Sequence, residues 1–125
     1  MTIAEIVKCL DAHVLCGEEH LNQCVTSACC SDLMSDALAF IHENAMLLTG
    51  ITNAQVVRTA GILDLKCVAF VRGKVPPPDV IDMARDAGLL TMTVNRTMFT
   101  CAGLLYQGGL RGAPMCWPSR EEAAS

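Results

Sequence analysis

Residues 67–94 read CVAFVRGKVPPPDVIDMARDAGLLTMTV, and this stretch decides the fold. Cys67-Val68-Ala69-Phe70-Val71 is a short, wholly apolar run, the signature of a strand buried on both faces. Pro76-Pro77-Pro78 then sets the chain for a helix from Asp79 to Ala87, with Gly88 as its stop. Leu89-Leu90-Thr91-Met92-Thr93-Val94 is a second strand. Two strands that lack a polar face and are joined through a helix call for parallel pairing with a right-handed crossover.

Working outward, the same alternation continues. Towards the N-terminus, Ala45-Met46-Leu47-Leu48-Thr49 reads as a buried strand. Thr52-Asn53-Ala54-Gln55 has the capping-box pattern and opens a helix through Val56, Val57, Ala60 and Leu63. Leu33, Met34, Ala37, Leu38 and Ile41 have helical spacing, with Ser31 as the expected N-cap. Cys24 to Cys30 suits a strand, and antiparallel pairing there would make the sheet mixed. The chain opens with a helical pattern, Ile3, Ile6, Val7 and Leu10, then a short strand, Ala12-His13-Val14-Leu15-Cys16, before Gly17. Towards the C-terminus, a helix runs from Thr97 to Gln107 before Gly108-Gly109. The expected fold class is α/β: one compact domain over residues 1–110, a mixed, mostly parallel sheet flanked by helices, with 111–125 as a C-terminal tail.

Composition fits that expectation. A chain of 125 residues supports one core. With 52% hydrophobic and 18% charged residues it is too apolar to stay disordered. The excess of apolar residues over what so small an interior holds points to a covered surface, and so to a homo-oligomer. A net charge of −4 lacks the basic footprint that a nucleic-acid backbone requires. Apolar runs are interrupted by Asp36, His42, Arg58, Asp64 or Arg72, too soon to cross a bilayer, and the first residues show no secretory signal. The expected location is therefore the cytoplasm, with no membrane partner. In that compartment the eight cysteines read as small buried hydrophobes, not as a disulfide framework.

Three segments carry a family resemblance: Gln55-Val56-Val57-Arg58-Thr59-Ala60, Val68-Ala69-Phe70-Val71-Arg72-Gly73-Lys74, and Thr97 to Tyr106. Together they resemble the DRTGG domain over roughly residues 1 to 110. That resemblance implies a compact mixed α/β sheet that dimerises. It also implies a regulatory role without catalytic residues and, through small stand-alone relatives, an association with hydrogenase-type redox partners. Where the family name motif would fall, this chain has only Asn95-Arg96-Thr97.

The loops that leave the carboxyl ends of parallel strands gather on one edge, where open α/β sheets bind ligands. Here they carry Thr49, Gly50 and Thr52, then Arg72 and Lys74, then Asn95, Arg96 and Thr97. Three cations beside helix N-termini favour a small anion or nucleotide. The alternative is that these loops are simply polar and solvated, since no P-loop or dinucleotide fingerprint is present.

A second cluster, Cys16, Cys24, Cys29 and Cys30, raises zinc or an iron–sulfur cluster as an alternative cofactor, against no cofactor at all. Its spacing lacks a Cys-x-x-Cys pair, and adjacent Cys29 and Cys30 on a strand point to opposite faces. Their place before a helix would favour a reactive thiolate. His13, His20 and His42 form no catalytic arrangement with a nucleophile. Trp117, within Pro114-Met115-Cys116-Trp117-Pro118, is a candidate docking anchor in the tail. A purely structural dimerisation module is the remaining reading.

Overall fold

The computed structural model describes residues 1–40 and 44–112. His42, Ile41 and the Trp117 segment lie outside the described residues. The elements in chain order are α1 (Ile3–Leu10), β1 (His13–Cys16), a 3-10 turn (Glu18–His20), β2 (Ser27–Cys30), α2 (Met34–Phe40), β3 (Ala45–Thr49), α3 (Ala54–Leu63), β4 (Cys67–Phe70), α4 (Pro78–Asp86), β5 (Leu90–Thr93), α5 (Met98–Gln107) and β6 (Arg111–Gly112). They build a six-stranded sheet of order β1-β5-β4-β3-β2-β6.

The alternation of side chains along the strands divides the core into two layers. Met46 and Leu48 of β3, Cys67 and Ala69 of β4, and Leu90 and Met92 of β5 face α1 and α5. Ala45 and Leu47 of β3 and Val68 and Phe70 of β4 face α2, α3 and α4. Both faces of the central strands are covered, which is why those strands carry unbroken apolar runs.

β2, β3, β4 and β5 pair in parallel, and β6 is parallel to β2. The antiparallel element of the sheet is not around Cys24 to Cys30 as the sequence led us to expect. It is β1, which runs antiparallel to β5 at the opposite edge. That pairing joins residues about 80 apart in the chain, His13 with Thr93, so no local pattern announces it. Of the expected Cys24–Cys30 strand, only Ser27–Cys30 enters the sheet. Cys24 makes an isolated antiparallel bridge to Thr2, and Val25 donates its N–H to the Met1 carbonyl at 2.7 Å.

Two expected caps also differ. Thr52 is not the N-cap of α3. Asn53 is, its side chain accepting from the Gln55 N–H at 3.0 Å, while the Gln55 side-chain Oε1 accepts from Arg58 Nη1. From one residue later in the chain, the Asn53 carboxamide oxygen reaches the second amide of the helix. Ser31 does not cap α2 either: it closes a local turn by accepting from Leu33 N–H at 3.1 Å, and the helix begins at Met34. A complete capping box stands at α1, where Thr2 accepts from the Glu5 N–H and Glu5 accepts from the Thr2 N–H. These bonds hold the exposed Glu5 carboxyl below its usual pKa.

Candidate functional site at the carboxyl edge of the sheet

Register brings the candidate residues to one level. Thr49 pairs with Phe70 and Phe70 with Thr93, so the loops after β3, β4 and β5 leave the sheet side by side. In the loop after β4, Arg72 and Gly73 both take left-handed backbone, with φ of 59° and 67°. The other three described non-glycine residues at positive φ are Asp11, Asn44 and Asp64, types that tolerate that region. Arg72 is the exception. Two backbone bonds hold it there: Arg72 N–H donates to the Arg96 carbonyl at 2.7 Å, and Gly73 N–H donates to the Val94 carbonyl at 2.8 Å. These bonds tie the loop after β4 to the loop after β5.

The Arg72 side chain then reaches in the other direction, over the loop after β3. A Cβ on Gly50 would overlap its Nη2 and stand 3.0 Å from its Cζ, so the guanidinium rests where Gly50 leaves room for it. Among the described residues, no carboxylate oxygen lies within ion-pair distance of Arg72; the ion pairs there are His20 with Glu19 and Arg85 with Asp82. On the far side of the same loop, a Cβ on Gly73 would stand 3.1 Å from the Asn95 Oδ1.

The remaining candidates divide by role. Thr49 is fully buried; its Oγ1 donates to Asp32 Oδ1 at 3.0 Å and accepts from Ile51 N–H at 3.2 Å. Thr97 is the N-cap of α5, accepting from Thr100 N–H at 3.4 Å. Arg96 extends Nε to the Leu10 carbonyl at 3.3 Å, at the C-terminus of α1, which draws its guanidinium away from Gly50. Lys74 is exposed, and its carbonyl accepts from Thr93 Oγ1 at 2.7 Å. Thr52 is half-buried beside the α3 N-terminus. The geometry thus joins Gly50, Arg72, Gly73, Asn95 and the Arg96 backbone, and commits Thr49 and Thr97 to structural bonds.

Asp32, in the loop after β2, went unnoticed in the sequence. Its Oδ1 accepts from Gly50 N–H at 2.7 Å as well as from Thr49 Oγ1. It occupies the amide that an anion would otherwise take and fixes the loop on which Arg72 lies. The signal for it was present: Ser31-Asp32 follows a strand in the same way as the other loop pairs follow theirs.

The four cysteines of the metal alternative are not brought together. Cys16 lies on β1 and Cys29 and Cys30 on β2, four strand positions apart in the sheet, about 19 Å at the usual strand spacing. Cys16 Sγ donates to the Leu89 carbonyl at 3.4 Å, and Cys24 is exposed. Among the described residues, no three His, Cys, Asp or Glu side chains are grouped to hold a metal ion. Cys29 packs with the layer of α2 to α4, and Cys30 lines a cleft on the other face, as alternation along a strand requires. Neither is an activated thiolate. Burial raises both, and Cys30 is pushed up to about 11, with the neighbouring Cys29 and Cys101 adding to the effect. Desolvation outweighs the helix, which begins four residues after Cys30.

The Cys30 cleft is apolar and has a volume of about 160 Å³. Ala28, Cys30 and Leu48 form its sheet side and Ala102, Leu105 and Tyr106 its helix side. Arg111 stacks on the Tyr106 ring, 4.5 Å from its centroid, at the rim. No described helix is long and apolar enough to cross a membrane.

Among solved structures, the CBS and DRTGG domains of the regulatory region of Clostridium perfringens pyrophosphatase, complexed with the activator diadenosine tetraphosphate, share this fold. The match has a TM-score of 0.67 at 19% identity, and covers 85% of this chain and 46% of that one. This chain therefore spans about half the length of that neighbour. No curated protein sequence matches it. Residues 5–107 match the DRTGG domain, and the chain belongs to the DRTGG domain family.

Proposed function

We propose that this domain is a non-catalytic regulatory module, active as a pair of identical subunits, that binds a small anion at the carboxyl edge of β3, β4 and β5. The observation that carries this reading is the Arg72 guanidinium: it has no carboxylate partner among the described residues, rests against Gly50, and is held by left-handed backbone that arginine seldom adopts. An exposed cation without a carboxylate partner among the described residues, kept on strained backbone, is a candidate for contact with a ligand. Arg72 is the primary contact in this reading. Lys74 and Arg96 contribute positive potential, Asn95 and Thr52 offer polar side chains, and Gly50, Thr49 and Thr97 shape the loops. The anion meets charge supplied from several loops within a protein of net charge −4, so binding is selective for small ligands over long polyanions.

The structural neighbour is complexed with an activator, diadenosine tetraphosphate, which makes a nucleotide polyphosphate the first ligand class to test. A redox protein of the hydrogenase type is the partner class implied by the family resemblance. Isothermal titration calorimetry with diadenosine tetraphosphate and with inorganic pyrophosphate tests the site. Loss of one charged hydrogen-bonding group predicts that Arg72→Ala weakens binding by about 10- to 100-fold. Equal affinity in wild type and Arg72→Ala would remove the assignment.

A further inference from the structure

Among the described residues, no element packs on the outer face of α5. From Thr97 to Leu110 the chain carries no charged residue. Cys101 and Leu105 are buried against the sheet, yet Phe99 is 88% exposed and Tyr106 61% exposed on the opposite side. Residues 99, 102, 103 and 106 fall on one stripe of a helix. Gly103 faces open space, with no described atom beyond its own stretch of helix within 4 Å of where its Cβ would stand. By contrast α4 presents Asp79, Asp82, Arg85 and Asp86. A helix that is apolar on both sides calls for cover on both.

Resting on the two-subunit assembly proposed above, we infer that α5 packs antiparallel on α5 of a second copy, about a two-fold axis between Ala102 and Gly103. In that arrangement Phe99 of each copy sits over Tyr106 and the apolar cleft of the other. The numbers of facing residues then share one sum, so Phe99 opposes Tyr106 twice, as a two-fold interface requires. The small residues at the crossing point let the helices approach closely. The cleft, of about 160 Å³, is large enough for a phenyl ring, since an apolar cavity of about 150 Å³ admits benzene.

Charge selects a second copy as the occupant. Two copies of a chain with net charge −4 repel, and they meet at least electrostatic cost on the α5 face, which carries no acidic residue and whose single charged neighbour is Arg111 at the cleft rim. Arg111 does not interfere, because its Nη1 donates to the Tyr106 and Leu110 carbonyls and its head is stacked on the Tyr106 ring. Covering what remains exposed of Phe99 and Tyr106 removes at most about 300 Å² of each copy from water. A standard interface needs roughly 800 Å² per partner, and Thr100, Gln107 and the cleft rim lie alongside to supply the rest.

Sedimentation equilibrium of the full chain tests the inference. Wild type is expected at twice the 13.4 kDa chain mass, and Phe99→Glu and Gly103→Glu at the single-chain mass with unchanged circular dichroism. Phe99 is so exposed that folding is not at stake, and Gly103→Glu enters open space on a helix, so each variant checks the other. Ile62→Glu, 73% exposed on α3, is the control and is expected to stay paired. If Phe99→Glu and Gly103→Glu both remained paired, the α5 interface would be wrong while the two-subunit reading stood. A wild-type monomer would overturn both.

Discussion

The guanidinium of Arg72 occupies the space that a side chain on Gly50 would fill. One loop therefore holds its neighbour's cation through the absence of a single carbon atom.

Gly50→Ala should separate fold from function. Gly50 is not at positive φ, so the backbone accepts alanine, and only the mobile end of Arg72 has to move. We expect stability within about 0.5 kcal/mol of wild type. Pyrophosphate affinity should fall towards that of Arg72→Ala. Thermal melts and calorimetry on the two variants make the comparison; a Gly50→Ala protein that binds like wild type would show that the Arg72 position is irrelevant.

Asp32→Ala should act on stability instead. It removes the acceptor of the buried Thr49 hydroxyl and of the Gly50 N–H, and leaves a fully buried donor unpaired. The expected loss is about 1–3 kcal/mol by urea denaturation. A double variant with Thr49→Val should recover only part of that loss, because the orphaned hydroxyl is gone while the Ile51 N–H loses its acceptor.

The thiols give a pH prediction. Burial pushes Cys67 up to about 12 and Cys30 to about 11, from an ordinary value of 9.0. The folded state thus keeps protons that the unfolded chain releases near pH 9. The associated stability is fully present below about pH 9 and is lost as pH rises from there towards 12. Urea midpoints measured between pH 8 and 10.5 should fall with pH in wild type, and fall less in Cys67→Ala. At pH 7.5, iodoacetamide should label Cys24 faster than Cys30 although both are exposed, because desolvation raises the Cys30 thiol and leaves little thiolate. Mass spectrometry of the labelled peptides reads the order directly.

Much of the fold is legible in residues 67–94, because strands buried on both faces are continuous apolar runs, and a proline triplet and a glycine bracket the helix between them. The β1–β5 pairing is not legible, since it depends on contacts across most of the chain. The capping box at Thr52 failed because Asn53, one residue on, is itself a strong N-cap residue, and its Oδ1 takes the Gln55 N–H. The loop-edge candidates follow from topology alone, but their division of labour does not. Nothing local says that Arg96 turns to Leu10 while Arg72 turns to Gly50, or that Asp32 already holds the Gly50 amide. The thiols mislead in the same way: position before a helix is visible in the sequence, and burial is not.

The most direct test of the central claim is a 15N heteronuclear titration of the wild-type chain with inorganic pyrophosphate and with diadenosine tetraphosphate. The account predicts saturable shifts confined to the amides of Gly50, Thr52, Arg72, Gly73, Lys74, Asn95 and Arg96, and their loss in Arg72→Ala. Shifts at other positions only, or shifts that persist unchanged in Arg72→Ala, would contradict it.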